Sequence, residues 1–125
     1  MARQSILLLE MDPPLSMALE LFFRGRRYDV RVGATPGDAM RLATAEPCDA
    51  VLIGSLPDSI DAETMAKRLR AVLGPSAQIV LLSHAIDDVA GADLVLPVGA
   101  HPRAILDGLR TLARRRPPMA LDEAS

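Results

Sequence analysis

Two acidic residues follow the first apolar segment of this 125-residue chain, and they are the side chains best suited to bind a divalent cation. Glu10 and Asp12 come directly after the run Ser-Ile-Leu-Leu-Leu at 5–9. Mg²⁺ prefers hard oxygen ligands such as carboxylates. Asp12 is followed by Pro13, however, which is typical of a helix N-cap. We therefore expect Asp12 to cap a helix and Glu10 to be a solvated carboxylate, and we expect no metal site.

A second group of reactive residue types surrounds Ser83, which follows the apolar run 79–82. Together with His84, Asp87 and Asp88 it contains the residue types of a hydrolytic triad. Adjacent residues at a strand end point in opposite directions, so these side chains do not converge. Cys48 is the chain's only cysteine and can form neither an internal disulfide nor a structural zinc site. The sequence predicts no catalytic residue, and we expect Cys48 to be a small buried residue.

Composition excludes several classes of protein. Half of the residues are hydrophobic and mean hydropathy is +0.21, which rules out intrinsic disorder. With only two phenylalanines and one tyrosine, the core must be aliphatic. A net charge of −2 gives no general attraction to nucleic acid. No apolar run approaches the ~20 residues of a membrane span, and no signal peptide is recognisable. We expect a cytoplasmic protein without membrane insertion.

Five short apolar segments alternate with helical patterns, which predicts a doubly wound α/β domain with a parallel sheet. The expected strands are 5–9, 28–32, 50–53, 79–82 and 94–98. The expected helices begin near Asp12, Thr35, Asp61 and His101. Gly25 is expected to end the first helix, and Met65, Leu69 and Val72 to mark the buried face of the third. Residues 1–116 are predicted to form one domain, and 117–125 a flexible tail.

One connection is too short for its place in this pattern. Only seven residues, His84 to Ala90, separate the fourth strand from the Gly-Ala-Asp sequence before the fifth. A crossover with a helix of normal length needs at least ~10–12 residues. The helix between these strands must therefore be shortened or missing, which leaves that edge of the sheet poorly covered.

The order of the elements, and several short segments within them, resemble the receiver domains of bacterial two-component response regulators. The resemblance covers roughly residues 5 to 116 and implies the flavodoxin-like strand order 2-1-3-4-5. The matching segments are 6–13 (Ile-Leu-Leu-Leu-Glu-Met-Asp-Pro), 49–54 (Asp-Ala-Val-Leu-Ile-Gly), 60–62 (Ile-Asp-Ala), 81–83 (Leu-Leu-Ser) and 91–93 (Gly-Ala-Asp).

The resemblance to receivers implies phosphoryl-transfer chemistry, and this chain lacks most of the residues that the chemistry requires. The family's phosphoacceptor aspartate corresponds to Gly54, its acidic pair to Glu10 and Met11, and its lysine to Val98. A thioether is a weak, soft ligand that does not suit magnesium. The switch hydroxyl is retained as Ser83, whereas the aromatic partner corresponds to Val95. The resulting degenerate receiver pocket consists of Glu10, Met11, Asp12, Gly54, Ser83 and Val98.

The resemblance and these losses together predict a pseudo-receiver: a non-enzymatic, phosphorylation-independent adaptor in bacterial signalling, motility or localisation. It needs no cofactor and binds another protein, with a homodimer as a possibility and no nucleic acid. We expect binding, including any self-association, on the side left uncovered by the short connection. The candidate interaction surface consists of His84, Ile86, Val89, Val95, Arg110 and Arg114. Two alternatives remain: a small-ligand sensor that uses the less charged pocket, and a regulatory module of a longer protein.

Overall fold

The computed structural model describes residues 4–84 and 89–115, with Arg115 described by its backbone alone, and it contains alternating strands and helices. Ile86 and the predicted tail 117–125 lie outside the described residues. The elements are β1 (Ser5–Leu9), α1 (Pro13–Arg24), β2 (Asp29–Gly33), α2 (Pro36–Ala45), β3 (Ala50–Ile53), α3 (Ala62–Leu73), β4 (Gln78–Ser83), β5 (Leu94–Pro97) and α4 (Pro102–Arg115). No helix within the described ranges is both long and apolar enough to cross a membrane.

The five strands form one parallel sheet in the order β2-β1-β3-β4-β5, as predicted. β1 lies between β2 and β3, with Leu9 opposite both Gly33 and Ile53. All four residues of β3 are buried, which fits a central parallel strand covered on both faces. The carboxyl ends of β1, β3, β4 and β5 therefore share one edge, where open α/β sheets place their ligand sites.

Alternate residues of each strand feed two aliphatic clusters, one on each face of the sheet. Ile6 and Leu8 pack with α1 and α4, whereas Leu7 and Leu9 pack with α2 and α3. Fully burying one such side chain contributes roughly 1.5–3 kcal/mol. The aromatic residues are grouped around Phe23, whose ring lies edge-on to Phe22 and Tyr28 at 5.1 and 5.6 Å. The aliphatic core predicted from composition is thus built as two separate layers.

Side-chain caps begin three of the helices. Asp12 accepts a hydrogen bond from the Leu15 amide at 3.3 Å, which confirms its predicted capping role. Thr35 caps α2 in the same way, and Asp61 caps α3 through the Thr64 amide at 2.7 Å. That bond lowers the pKa of the Asp61 carboxyl. Each cap satisfies an N–H group for which the helix itself has no acceptor.

One local prediction is confirmed and another needs correction. Gly25 ends α1 as its C-cap, as predicted; its φ of −64° is helical, and the left-handed residue of the turn is Arg27 at 69°. Val72 does not lie on the buried face of α3, since it is 38% exposed and Ala66 is fully buried. The buried face is therefore rotated toward Met65, Ala66 and Leu69.

The short connection between β4 and β5 is fastened to α3 by an arginine. Arg70 of α3 donates to the Asp93 carboxylate and to the Ala77 carbonyl, both at 2.6 Å. The same Asp93 oxygen accepts the Ile79 amide at 2.7 Å. Gly91 lies directly on α3, because a Cβ there would stand 3.3 Å from the Ala66 Cβ. No helix occurs in the part of 84–93 that is described, although the connection between two parallel strands usually contains one.

Candidate functional site

Four strand ends build the candidate site. The Gly54 amide donates to the Leu9 carbonyl at 2.8 Å, so the residues after β3 lie beside the end of β1. The Val98 amide donates to the Ser83 carbonyl at 3.0 Å, which joins the ends of β5 and β4 in the same way. The sheet register therefore carries the residues of the predicted pocket to one edge of the molecule.

Glu10 is the most informative residue of this edge. Its side chain is only 1% exposed, so the prediction of a solvated carboxylate is wrong. One carboxylate oxygen, Oε2, accepts the Asp12 amide at 2.9 Å, and the other, Oε1, accepts the Ser55 amide at 3.1 Å. Burying a carboxylate is costly unless its oxygens are hydrogen-bonded. Glu10 therefore ties the loop after β1 to the loop after β3.

Gly54 provides the space in which this carboxylate lies. A Cβ built at Gly54 would overlap the Glu10 Oε1 atom and stand 3.0 Å from its Cδ atom. Gly54 is not among the glycines of positive φ, so its backbone does not demand glycine. The requirement comes from Glu10, whose side chain occupies the position that any residue at 54 would claim.

The remaining pocket residues contribute little chemistry. Met11 and Val98 are 43% and 44% exposed, and Asp12 is an exposed capping residue. Ser83 is half-buried and hydrogen-bonded. In the described ranges, no group of three or more histidine, cysteine or acidic residues is arranged to hold a metal. The site thus presents a carboxylate already engaged by two amides, with apolar and capping residues around it.

The candidate interaction surface lies at the β5 edge of the sheet. His84, Arg110 and Arg114 are exposed. Val89 and Val95 are half-buried and pack against the cluster shared with α2 and α3, so they are less accessible than the two charged residues on α4. Val89 and Val95 therefore lie on the α2 and α3 face of the sheet, whereas Arg110 and Arg114 stand on α4 at the opposite face, so the structure does not join the apolar and basic parts of the predicted surface.

Cys48 lies far from this chemistry, before β3 at the opposite end of the strand. Partial burial raises the pKa of its thiol to about 11. The reactive thiolate is therefore scarce at neutral pH. This agrees with a structural role for the half-buried Cys48.

Sequence reasoning missed two contacts that depend on the fold. Nothing in the sequence indicates that the Ser55 amide reaches Glu10, 45 residues earlier. The Arg70–Asp93 ion pair likewise joins residues 23 positions apart. The available signals were an acidic residue directly after a buried strand and an arginine next to the last buried leucine of an amphipathic helix.

No protein-family model and no curated protein sequence matches the chain, but solved structures do. A two-component response regulator from Clostridium difficile superposes with a TM-score of 0.80 at 17% identity, covering 90% of this chain and 98% of that one. A CheY-like receiver domain from Methanospirillum hungatei JF-1 gives 0.78 at 18% identity, covering 92% and 100%. A putative response regulator from Chloroflexus aurantiacus J-10-fl gives 0.75 at 25% identity, covering 89% and 98%.

These similarities define the class of fold. The chain has the response-regulator receiver fold, a flavodoxin-like α/β architecture whose sheet order is 2-1-3-4-5. The coverage of the compared structures is nearly complete, so the likeness extends over the whole receiver architecture.

Proposed function

We propose that this chain is a pseudo-receiver, a non-enzymatic, phosphorylation-independent adaptor that binds another protein in a bacterial signalling, motility or localisation system. The observation that carries the proposal is the Glu10–Gly54 pair. The residue at the end of β3 has no side chain, and the neighbouring carboxylate fills the space beside it.

Acyl-phosphate chemistry requires a carboxylate nucleophile and cations that neutralise the developing charge. Gly54 offers no nucleophile. Both oxygens of Glu10 accept backbone amides, and the side chain is buried. Val98 supplies no cation, and the chain's only lysine, Lys67, is paired with Glu63 on α3 at 2.8 Å. These features support a site that does not exchange phosphate.

An adaptor needs an accessible docking surface, and we assign it to the β5 edge and α4. β5 is an edge strand of the sheet, and strand edges favour pairing with other chains. Arg110 and Arg114 stand exposed on the adjoining helix and provide a basic border for a partner with acidic groups. The proposal places this function in a cytoplasmic protein whose receiver-like unit spans residues 1–116.

A small-ligand sensor fits the site less well. That alternative rested on a crevice of low charge formed by Met11, Gly54 and Val98. The Glu10 side chain fills the space beside Gly54 on which that crevice depends, which leaves less room for a metabolite. A thermal-shift screen of metabolites distinguishes the two, because a sensor is stabilised by its ligand and an adaptor is not.

The central test is incubation with acetyl phosphate and magnesium, followed by intact-mass measurement. We expect no change in mass. A stoichiometric gain of one phosphoryl group that hydroxylamine removes would contradict the proposal.

The second arm of the test concerns the partner. We expect the proteins retained by the wild-type chain to be lost with the double variant Arg110→Glu/Arg114→Glu. The matched control Arg68→Glu reverses an exposed charge on α3, at the opposite face of the sheet, and should retain them. If the wild-type chain and both variants retain the same partner proteins equally, the docking surface does not lie on α4.

A further inference from the structure

The outer side of α1 is apolar, although it faces solvent. Met17 and Leu21 are 61% and 71% exposed, more than any other large hydrophobic residue of the described chain. Pro14 and Ala18 are exposed beside them. These four residues follow the spacing i, i+3, i+4, i+7, which places them on one continuous stripe. We call Pro14, Met17, Ala18 and Leu21 the α1 stripe.

The α1 stripe is distinct from the face by which α1 holds the domain together. The sheet-facing side of the helix carries Leu19 and Phe23, which are 2% and 1% exposed. A surface helix normally has one apolar face and one polar face. α1 has apolar residues on both, and only the inner face is covered by its own domain. An exposed apolar patch of this kind is typical of an interaction site.

The stripe is complementary to itself. The positions 14, 17, 18 and 21 are symmetric about a point between Met17 and Ala18. When two copies of α1 cross antiparallel about a two-fold axis at that point, Pro14 faces Leu21 and Met17 faces Ala18. Large and small side chains then alternate across the contact, as ridge-and-groove packing of helices requires. A two-fold interface uses the same patch on both subunits, which this symmetry permits.

The charges at the two ends of α1 favour the same arrangement. Asp12 is exposed at the amino end, and Arg24, Arg26 and Arg27 are exposed at or just beyond the carboxyl end. Antiparallel packing brings the carboxylate of each copy toward the arginines of the other. Parallel packing would instead place the arginine groups together, where like charges repel. The antiparallel arrangement also opposes the two helix dipoles.

We propose that the chain forms a symmetric homodimer through the α1 stripe, with the two α1 helices antiparallel. This inference is independent of the adaptor proposal, and it moves self-association from the β5 edge to the other end of the sheet. A contact built on four side chains per copy is smaller than the ~800 Å² per partner of a standard interface. We therefore expect dissociation constants on the order of micromolar rather than nanomolar.

Analytical ultracentrifugation over a protein concentration series tests the surface. The wild-type chain should pass from monomer to dimer, and Leu21→Glu should raise the dissociation constant at least about tenfold, because a charge would be buried twice in a symmetric contact. The matched control is Val72→Glu, which places the same charge at an exposed valine on α3 and should leave the dimer unchanged. Circular dichroism establishes that each variant is folded.

A monomeric wild-type chain at all concentrations would overturn the proposal and assign the stripe to a different protein. Association that Leu21→Glu does not weaken would also overturn it, since self-association would then use another surface.

Oxidative crosslinking tests the orientation. In a Cys48→Ala background, Ala18→Cys places a thiol beside the proposed two-fold axis and should give a disulfide-linked dimer. Ala71→Cys, an exposed position on α3, should not. Failure of the first variant to crosslink, when ultracentrifugation shows it to be dimeric, would rule out the antiparallel crossing. A wild-type chain that forms the dimer and binds no partner protein would count against the adaptor proposal alone.

Discussion

The glycine at position 54 and the neighbouring Glu10 carboxylate depend on each other. Glu10 takes the space that a side chain at 54 would fill, and its two oxygens bind the amides of Asp12 and Ser55. An acidic group that serves a magnesium site must turn an oxygen toward the cation and its water ligands. Glu10 is instead buried, and each of its oxygens is held by a backbone amide. Its present role is to connect two loops, which is a structural function.

This pairing predicts that Gly54→Ala destabilises the fold by about 1–2 kcal/mol, because the new methyl group displaces a buried, hydrogen-bonded carboxylate. In a Glu10→Ala background the same change should be neutral or slightly stabilising, since alanine restricts the unfolded chain more than glycine. Urea denaturation of the four proteins measures this coupling.

Gly37→Ala is the matched control for this cycle. A Cβ at position 37 meets nothing closer than the Thr35 Oγ1 atom at 3.9 Å, so Gly37→Ala should not lower the free energy of unfolding. Additive effects of the Glu10 and Gly54 substitutions would show that the two residues do not share one space. The result also bears on any attempt to restore an aspartate at 54, which must first remove Glu10.

Among single residues, capping was predictable and burial was not. Asp12 and Asp61 were recognised as caps because a cap acts on amides only three residues away. Glu10 was misjudged because its burial depends on an amide 45 residues along the chain, brought near by the pairing of β1 with β3. Local contacts leave a signal in the sequence, whereas contacts made across the sheet do not.

On the scale of elements, the short connection between β4 and β5 is held in place by one arginine of α3. Arg70 contacts the carbonyls of Gly74, Pro75 and Ala77 as well as the Asp93 carboxylate. The Arg70 and Asp93 side chains are 25% and 13% exposed, so this ion pair is better shielded from water than a surface pair. One side chain thereby fixes the end of α3, the start of β4 and the approach to β5.

Arg70→Ala should therefore lower the free energy of unfolding by about 2–3 kcal/mol, because the partly buried Asp93 carboxylate and the carbonyls of Gly74 and Ala77 each lose one hydrogen-bond donor. Lys67→Ala removes the exposed pair with Glu63 on the same helix and should lower the free energy of unfolding much less than Arg70→Ala does.

Hydrogen exchange locates the effect of the Arg70 substitution. The amides of Ala92 and Asp93, which bond to the Val89 and Ile79 carbonyls, should lose protection in Arg70→Ala before the amides of β1 do. Equal costs for the arginine and lysine variants would show that the Arg70 contacts do not fasten this connection.

The strands and helices themselves were largely predictable. Continuous apolar runs located all five strands within one or two residues, because parallel strands buried on both faces leave an unmistakable pattern. The buried face of α3 was harder to predict. Val72 continues the helical spacing of Met65 and Leu69, but in the last turn of the helix Leu73, rather than Val72, packs against the buried cluster.

For the molecule as a whole, the receiver fold and receiver chemistry separate cleanly. Strand order, right-handed crossovers and the two aliphatic layers depend on the pattern of apolar residues, none of which takes part in phosphoryl transfer. The chain, with glycine at position 54, therefore folds as the compared structures do. This fold offers two candidate contact surfaces, the β5 edge with α4 and the α1 stripe.

The pseudo-receiver proposal predicts that the chain responds to magnesium as to any other salt. Ligand binding stabilises a protein by RT ln(1 + [L]/Kd), so a site filled at about 100 times its Kd would add ~2.7 kcal/mol and raise the Tm by several degrees. We expect about 10 mM magnesium chloride to leave the Tm within roughly 1 °C of its value in potassium chloride of equal ionic strength, because the Glu10 oxygens are occupied by amides and Asp12 caps α1. Differential scanning calorimetry measures the Tm in each of the two salts. A specific upward shift with magnesium that disappears in Glu10→Ala would mean that the carboxylate leaves its amides to bind the cation, and that the receiver metal site is still functional.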